Sequence, residues 1–224
     1  SDTTVSMRSA ARDGFMDAVA TLNAGGSAAE SGGAGSGGAD STAPVTTTFQ
    51  LRDANRQGNK SAKVVFIEFA DFQCPFCERW HQQVEPQIVR QYVQSGQVTF
   101  VYKHSAFLGQ ESEWAAEAAE CAADQNKFWQ YHDLLFQKQS GENQGAFTKD
   151  NLIAFAQSLD LDMAKFTPCL TNDETLARVN ADTEEGRQVR VTGTPTFFIN
   201  GQRIVGAQPY GTFQAAIDQA LAAQ

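Results

Sequence analysis

The segment that most restricts how this chain can fold is KVVFIEFADFQCPFC, residues 63–77. From Val64 to Ala70 it is apolar except at Glu68, and rich in β-branched and aromatic side chains. That is the pattern of a strand covered on both faces. A helical pattern opens within Cys74-Pro75-Phe76-Cys77 and runs to about Gln94, with Val84, Ile88, Val89, Tyr92 and Val93 as its apolar face. Pro86 is expected to kink it, having no N–H to donate. The strand-to-helix step puts Cys74 at a helix N-terminus, where unpaired N–H groups and the helix dipole stabilise a thiolate. Pro75 suits the first helical position, whose donor is unused anyway. Cys77, one turn along, is placed to close a small disulfide ring, so Cys74 can be both attacked and expelled in thiol–disulfide exchange.

Other uses of two such cysteines fit less well. A c-type haem requires His after the second cysteine, and position 78 is Glu78. Zinc requires four ligands, and the pair with His81 supplies three at most. A fixed bridge more often joins distant segments. Redox exchange is favoured, and neither a metal nor a cofactor is expected. Glu68 interrupts a strand that otherwise asks for burial, a costly position unless the carboxyl has work to do. The favoured role is to accept or relay the Cys77 proton. The alternative is a sheet-edge Glu paired to Lys63 or Lys103. A second signal lies far away in VTGTPTFFI, residues 191–199, where Pro195 at a strand entrance can hold a cis bond.

The remaining elements are read as a strand at Val45–Leu51, a turn at Gln57-Gly58-Asn59 and a strand at Gln97–Lys103. Helices follow over Glu111–Lys138, Lys149–Leu159 and about Asn172–Arg187. Thr196–Ile199 and Gln202–Val205 flank Asn200-Gly201, a hairpin signal, and a last helix covers Tyr210–Ala223. This is an α/β layout with helices inserted midway. Residues 24–40 hold 15 Gly, Ala or Ser among 17 positions, so residues 1–43 are expected to be a flexible leader and tether to a domain at 44–224. The chain begins at Ser1 with no signal-peptide pattern, which points to removal of a targeting segment or membrane anchor. A net charge of −9 with no basic–aromatic patch argues against nucleic-acid binding. No run of ~18 apolar residues offers a membrane span.

Taken together, EFADFQCPFC at 68–77, Pro86, FVYKH at 100–104, EAAECAADQNKFWQYHDLLF at 117–136 and GTPTFFINGQRIVGAQPY at 193–210 resemble the thioredoxin superfamily, and within it the DsbA-type thiol–disulfide oxidoreductases. The resemblance covers roughly 44–224. It implies a thioredoxin-like α/β fold with a helical insertion at about 107–188, and a cis-Pro195 after Thr194 beside the cysteine pair. An extended substrate strand would add to the exposed backbone there. Glu68 falls where the superfamily keeps a buried acid. Members of this branch oxidise cysteine-containing, unfolded proteins outside the cytoplasm and are reoxidised by a quinone-linked membrane oxidase of the DsbB or VKOR type. DsbA-type oxidases often carry His between the cysteines; Pro75-Phe76 stands here, which leaves the direction of catalysis open. Phe72 and Phe76 flank the pair as an apolar rim for substrates.

With Cys74 and Cys77 paired, Cys121 and Cys169 remain. A structural bridge closing about 49 residues is favoured over two buried thiols or a second redox relay. Such a bridge implies an oxidising compartment. His132 reads as a packed helix residue, and His104 is left open. Trp114, Phe128, Trp129 and Phe136 read as core, and Glu111, Glu113, Glu117 and Glu120 as a solvated helix face. The expected protein is thus a monomeric, extracytoplasmic dithiol oxidase. A reductase or isomerase using the same cysteines is the first alternative, and a redox-independent chaperone or binding module the second.

Overall fold

The computed structural model of the chain describes residues 2–6 and 48–223. Strand β1 (Asp2–Ser6) lies antiparallel to β2 (Thr48–Arg52), with Thr4 opposite Gln50. An unstructured leader was expected there; the rest of the tether lies outside the described residues. The strand expected from Val45 begins at Thr48. Strand β3 (Arg56–Gly58) occupies two residues read as a turn, because Gln57 pairs with Phe100 on the sheet edge.

The main sheet has five strands in the order β3, β5 (Val98–His104), β4 (Val64–Ala70), β6 (Thr196–Ile199), β7 (Gln202–Val205). β4 runs parallel to β5 and antiparallel to β6, so it is central, and all seven of its residues are buried. That is why its sequence is continuously apolar rather than alternating. Alternation still sorts its side chains between faces. Val65, Ile67 and Phe69 meet Phe49, Leu51 and Phe198, while Val64 and Phe66 meet Trp80, Phe197 and Phe213. Glu68 shares the face of Phe66, towards the cysteine-bearing helix.

Helix α1 (Pro75–Gln83) follows β4, and α2 (Glu85–Ile88) continues into a π-turn at Val89–Val93. The kink expected of Pro86 is realised as a break at Val84, which leaves Pro86 in the first turn of α2. Five helices separate β5 from β6: α3 (Gln110–Ala123), α4 (Phe128–Lys138), α5 (Lys149–Ser158), α6 (Met163–Thr171) and α7 (Leu176–Gln188). The single helix expected at Glu111–Lys138 is two. The chain turns at Asn126, whose φ of 59° Asn tolerates, and Lys127 N–H returns to the Ala122 carbonyl at 2.9 Å. Helix α6 was missed because Pro168 sits inside it. Capping of Ala164 N–H by Asp162 and burial of Phe166 and Leu170 outweigh the lost backbone bond. The Asn200-Gly201 hairpin and the last helix, α8 (Tyr210–Ala222), stand where expected.

The four glutamates of α3 are not a solvated face. Glu111, Glu117 and Glu120 are buried. Glu111 accepts the Gly145 and Phe147 N–H groups, and Glu120 meets Asn55, His104 and Arg52 at 2.6, 2.8 and 3.1 Å. Glu111 and Glu120 thus have polar partners on neighbouring segments, which sequence spacing does not reveal, whereas Glu117 Oε2 is buried without one. Phe128 and Phe136 are core as expected, with Trp114 and Trp129 partly buried against its margin. One apolar cluster extends from Phe72, Cys74 and Cys77 through Tyr102 into Phe128, Leu135 and Phe136, joining the sheet to the inserted helices. Each large side chain buried there contributes roughly 1.5–3 kcal/mol.

Candidate active site

Cys74 is the N-cap of α1, with φ −72° and ψ 119°. Its N–H donates to the Asp71 carbonyl at 3.0 Å, and its own carbonyl accepts Glu78 N–H at 3.1 Å. Its Sγ lies 3.3 Å from the Thr194 carbonyl, so the segment containing the cis Thr194–Pro195 bond sits directly against the sulfur. Cys77 is fully buried behind it, and both cysteines are free. The two thiols differ sharply. A hydrogen bond from Cys77 does most to bring Cys74 down to a pKa of about 6; burial opposes it, and the Thr194 side chain and the Cys77 and Phe76 N–H groups add to it. Cys77 is pushed well above the ordinary thiol range, first by burial and then by Cys74 and Glu68. One sulfur is thus prepared to be a thiolate and the other to keep its proton.

Glu68 stands opposite Tyr102 on one side and Phe197 on the other. It is buried, and neither carboxyl oxygen has a hydrogen-bond partner. Burial first, then the charges of Glu85 and Cys74, push its pKa well above the carboxylate range. The alternative of a sheet-edge acid paired to lysine is excluded, because β4 is central and Lys103 is held by Asp182 and Glu185 at 2.8 and 2.5 Å.

Phe76 is 53% exposed beside the cysteines, with the Arg79 guanidinium 5.1 Å from its ring centre. Phe72 corrects the expected rim. It is 1% exposed, turned inward onto Tyr102 and Phe136 with ring centres 5.2 and 5.1 Å away. The second exposed ring is Phe107, also 53% exposed, on the loop after β5, where no periodicity singles it out.

Three polar residues that went unremarked in the sequence hold the cysteine loop. Asp71 accepts from Gln73 N–H, Ser112 Oγ, Phe107 N–H and Leu108 N–H at 2.6–3.2 Å. Gln73 spans to Ser112 at 2.8 Å and receives Asn143 N–H at 2.6 Å. Gln139 donates to the carbonyls of Phe72 and Cys74 at 2.6 and 3.2 Å. Asp71 was open to the argument used for Glu68, a carboxylate against a buried strand; the two glutamines carry no sequence signal. Of the three readings for the other cysteines, the bridge is the one formed: Cys121 of α3 is joined to Cys169 of α6, Cα atoms 6.0 Å apart. His104 is tied to Glu120 and His132 is packed, while His81 faces Glu85 at 2.7 Å.

A strand running into a cysteine-capped helix, with a cis-proline strand beside it, is matched by sequence: residues 52–219 fit the family described as Thioredoxin. The chain belongs to the thioredoxin family. Within that family the likeness to DsbA-type proteins holds, with α3–α7 as the inserted helical region. The chain is 27% identical to the probable disulfide bond formation protein D of Bacillus cereus over 73% of this chain and 77% of that protein. The oxidised crystal structure of BdbD from Bacillus subtilis superposes with a TM-score of 0.71 and 26% identity, covering 75% of this chain and 92% of that one. A 35% identical match is to the Na(+)/H(+) antiporter NhaA 3 of Salinispora tropica, over 74% of this chain but 24% of the antiporter. The chain therefore spans about a quarter of that relative's length.

Proposed function

We propose that this protein is a thiol–disulfide oxidoreductase working as a dithiol oxidase. The observation that carries the reading is the asymmetry of the pair: Cys74 exchangeable at a pKa of about 6, Cys77 buried with a raised one. In the forward reaction a substrate thiolate attacks Cys74 Sγ of the oxidised pair, and the Cys74–Cys77 bond breaks. Cys77 leaves and takes up one proton, for which Glu68 is the nearby store. A second substrate thiolate then attacks the substrate sulfur of the mixed disulfide and expels Cys74 as a stable thiolate. Two substrate thiols lose two electrons, and the cysteine pair gains them. Phe76 and the Thr194–Pro195 segment border the sulfur where a substrate strand would lie, and the exposed Phe107 is tied to the same loop through Asp71.

The substrates are cysteine-containing proteins, and a partner of the quinone-linked DsbB or VKOR type restores the disulfide. The Cys121–Cys169 bridge supports an extracytoplasmic setting, since such bridges persist in oxidising compartments. No helix among the described residues is long and apolar enough to cross a membrane. The deciding measurement is the reduction potential of Cys74–Cys77, with thioredoxin near −270 mV and DsbA near −120 mV as references. A value less negative than roughly −200 mV supports the oxidase, and a more negative one assigns the pair to reduction or isomerisation.

A further inference from the structure

One turn beyond Cys77 along α1, two histidines and two carboxylates converge that the redox chemistry does not use. His81 and Glu85 come from the end of α1 and the start of α2, and His132 and Asp133 from α4. One donor atom from each of the four lies within 4.8 Å of the others. His81 Nδ1 is 2.7 Å from Glu85 Oε2, and His132 Nδ1 is 2.9 Å from Asp133 Oδ1. The two imidazoles meet edge to face with ring centres 5.1 Å apart. His132 is wholly buried and its Nε2 has no hydrogen-bond partner, so its polar contact is made within this cluster. Glu85 is buried as well. Two adjoining basic rings and two acids, half of them sealed in the core, are more than a solvated surface needs.

We propose that His81, Glu85, His132 and Asp133 form a binding site for a divalent cation of the zinc class. Two imidazole nitrogens and two carboxylate oxygens are a ligand set that zinc accepts in tetrahedral geometry, with ligand atoms ~3.4 Å apart. The widest separation here would close by roughly 1.4 Å, within reach of a side-chain adjustment by the exposed Asp133. An open pocket of about 430 Å³, lined by His81, Asp133, Gln130 and Gln137 among others, provides the entry path. Binding needs an unprotonated nitrogen on each imidazole. It replaces two separate pairs by one centre tying the cysteine-bearing helix to the inserted helices. The proposal does not rest on the redox reading, although Glu85 is also one of the charges that raise Glu68.

The test uses the full chain with Cys74–Cys77 oxidised, so that neither offers a thiolate. Zinc chloride is titrated in competition with a chromogenic chelator. One equivalent binding more tightly than ~100 µM is expected, weakened at least ~10-fold in His81→Gln. Cobalt(II) should give visible d–d bands without a thiolate charge-transfer band. Circular dichroism checks the variant's fold, and Asp133→Asn, at an exposed position, carries the same comparison if His81→Gln does not fold. Weaker binding by the wild type, or unchanged affinity in the folded variant, overturns the proposal.

Discussion

Replacing Cys77 by alanine removes the group that does most to hold Cys74 ionised. In the intact reduced protein Cys74 titrates at about 6 against an ordinary 9.0. At pH 7 it is therefore roughly nine-tenths thiolate, and the reduced state gains about 1.4 kcal/mol over one with an unperturbed thiol, about 30 mV for a two-electron couple. A hydrogen bond to a charged acceptor is worth about 1.5 kcal/mol at the low end of its range, the end that suits a weak S–H donor. Its loss in Cys77→Ala should carry the Cys74 midpoint from about 6 to ~7 or above, and the thiolate fraction at pH 7 to roughly one half. Thiolate absorbance near 240 nm, followed from pH 4 to 9, reads both midpoints, and the rate of alkylation at pH 7 gives an independent check. A variant that titrates at or below the wild-type midpoint would refute the assignment of Cys77 as the main donor. A wild-type midpoint above 8 would remove the thiolate argument altogether.

Glu120 and Glu68 make opposite predictions for pH. Burial works against Glu120's charge, but His104, Arg52 and Asn55 outweigh it and hold the carboxyl at about 2 against an ordinary 4.5. A depressed folded value stabilises above the unfolded one, so about 3 kcal/mol should be present above pH ~4.5 and lost as pH falls through 2. The stability difference between wild type and Glu120→Gln in denaturant unfolding should shrink from pH 5 to pH 2, and a constant difference would sink the assignment. Glu68 is raised, so its cost to stability grows as pH rises above the unfolded pKa and levels off only once it ionises in the folded state. Glu68→Gln should therefore be more stable than wild type at pH 7, yet form and resolve the mixed disulfide at least ~10-fold more slowly. Unchanged exchange rates would leave Glu68 without a role in proton transfer.

The sequence was most informative where chemistry and local structure coincide. The cysteine pair, the buried strand before it and Pro195 each carry a local reason for their residue type, and all three meet in the fold. It was least informative where a side chain's partner lies far along the chain. Glu111 and Glu120 resemble any acidic helix face until the Gly145 and Phe147 N–H groups meet the first and Asn55 and His104 the second. Phe72 and Phe76 are equally apolar and both border the cysteines, yet one is core and the other solvent-facing, because helix direction after Cys74 decides which way each ring turns. The break between α3 and α4 depends on one left-handed Asn126, and α6 on tertiary burial overriding Pro168.

Asp71 gathers donors from the cysteine loop, the loop bearing Phe107 and the first turn of α3 onto one carboxylate. The two exposed rings of the rim, although carried by segments outside the sheet, are thereby anchored to a common point. Their backbone freedom is surrendered when the protein folds, so an arriving chain does not have to immobilise them. If the proposed oxidase reading holds, a surface prepared in this way would select for a reachable cysteine and leave most of the contact energy for holding the transient covalent adduct while the second thiol arrives.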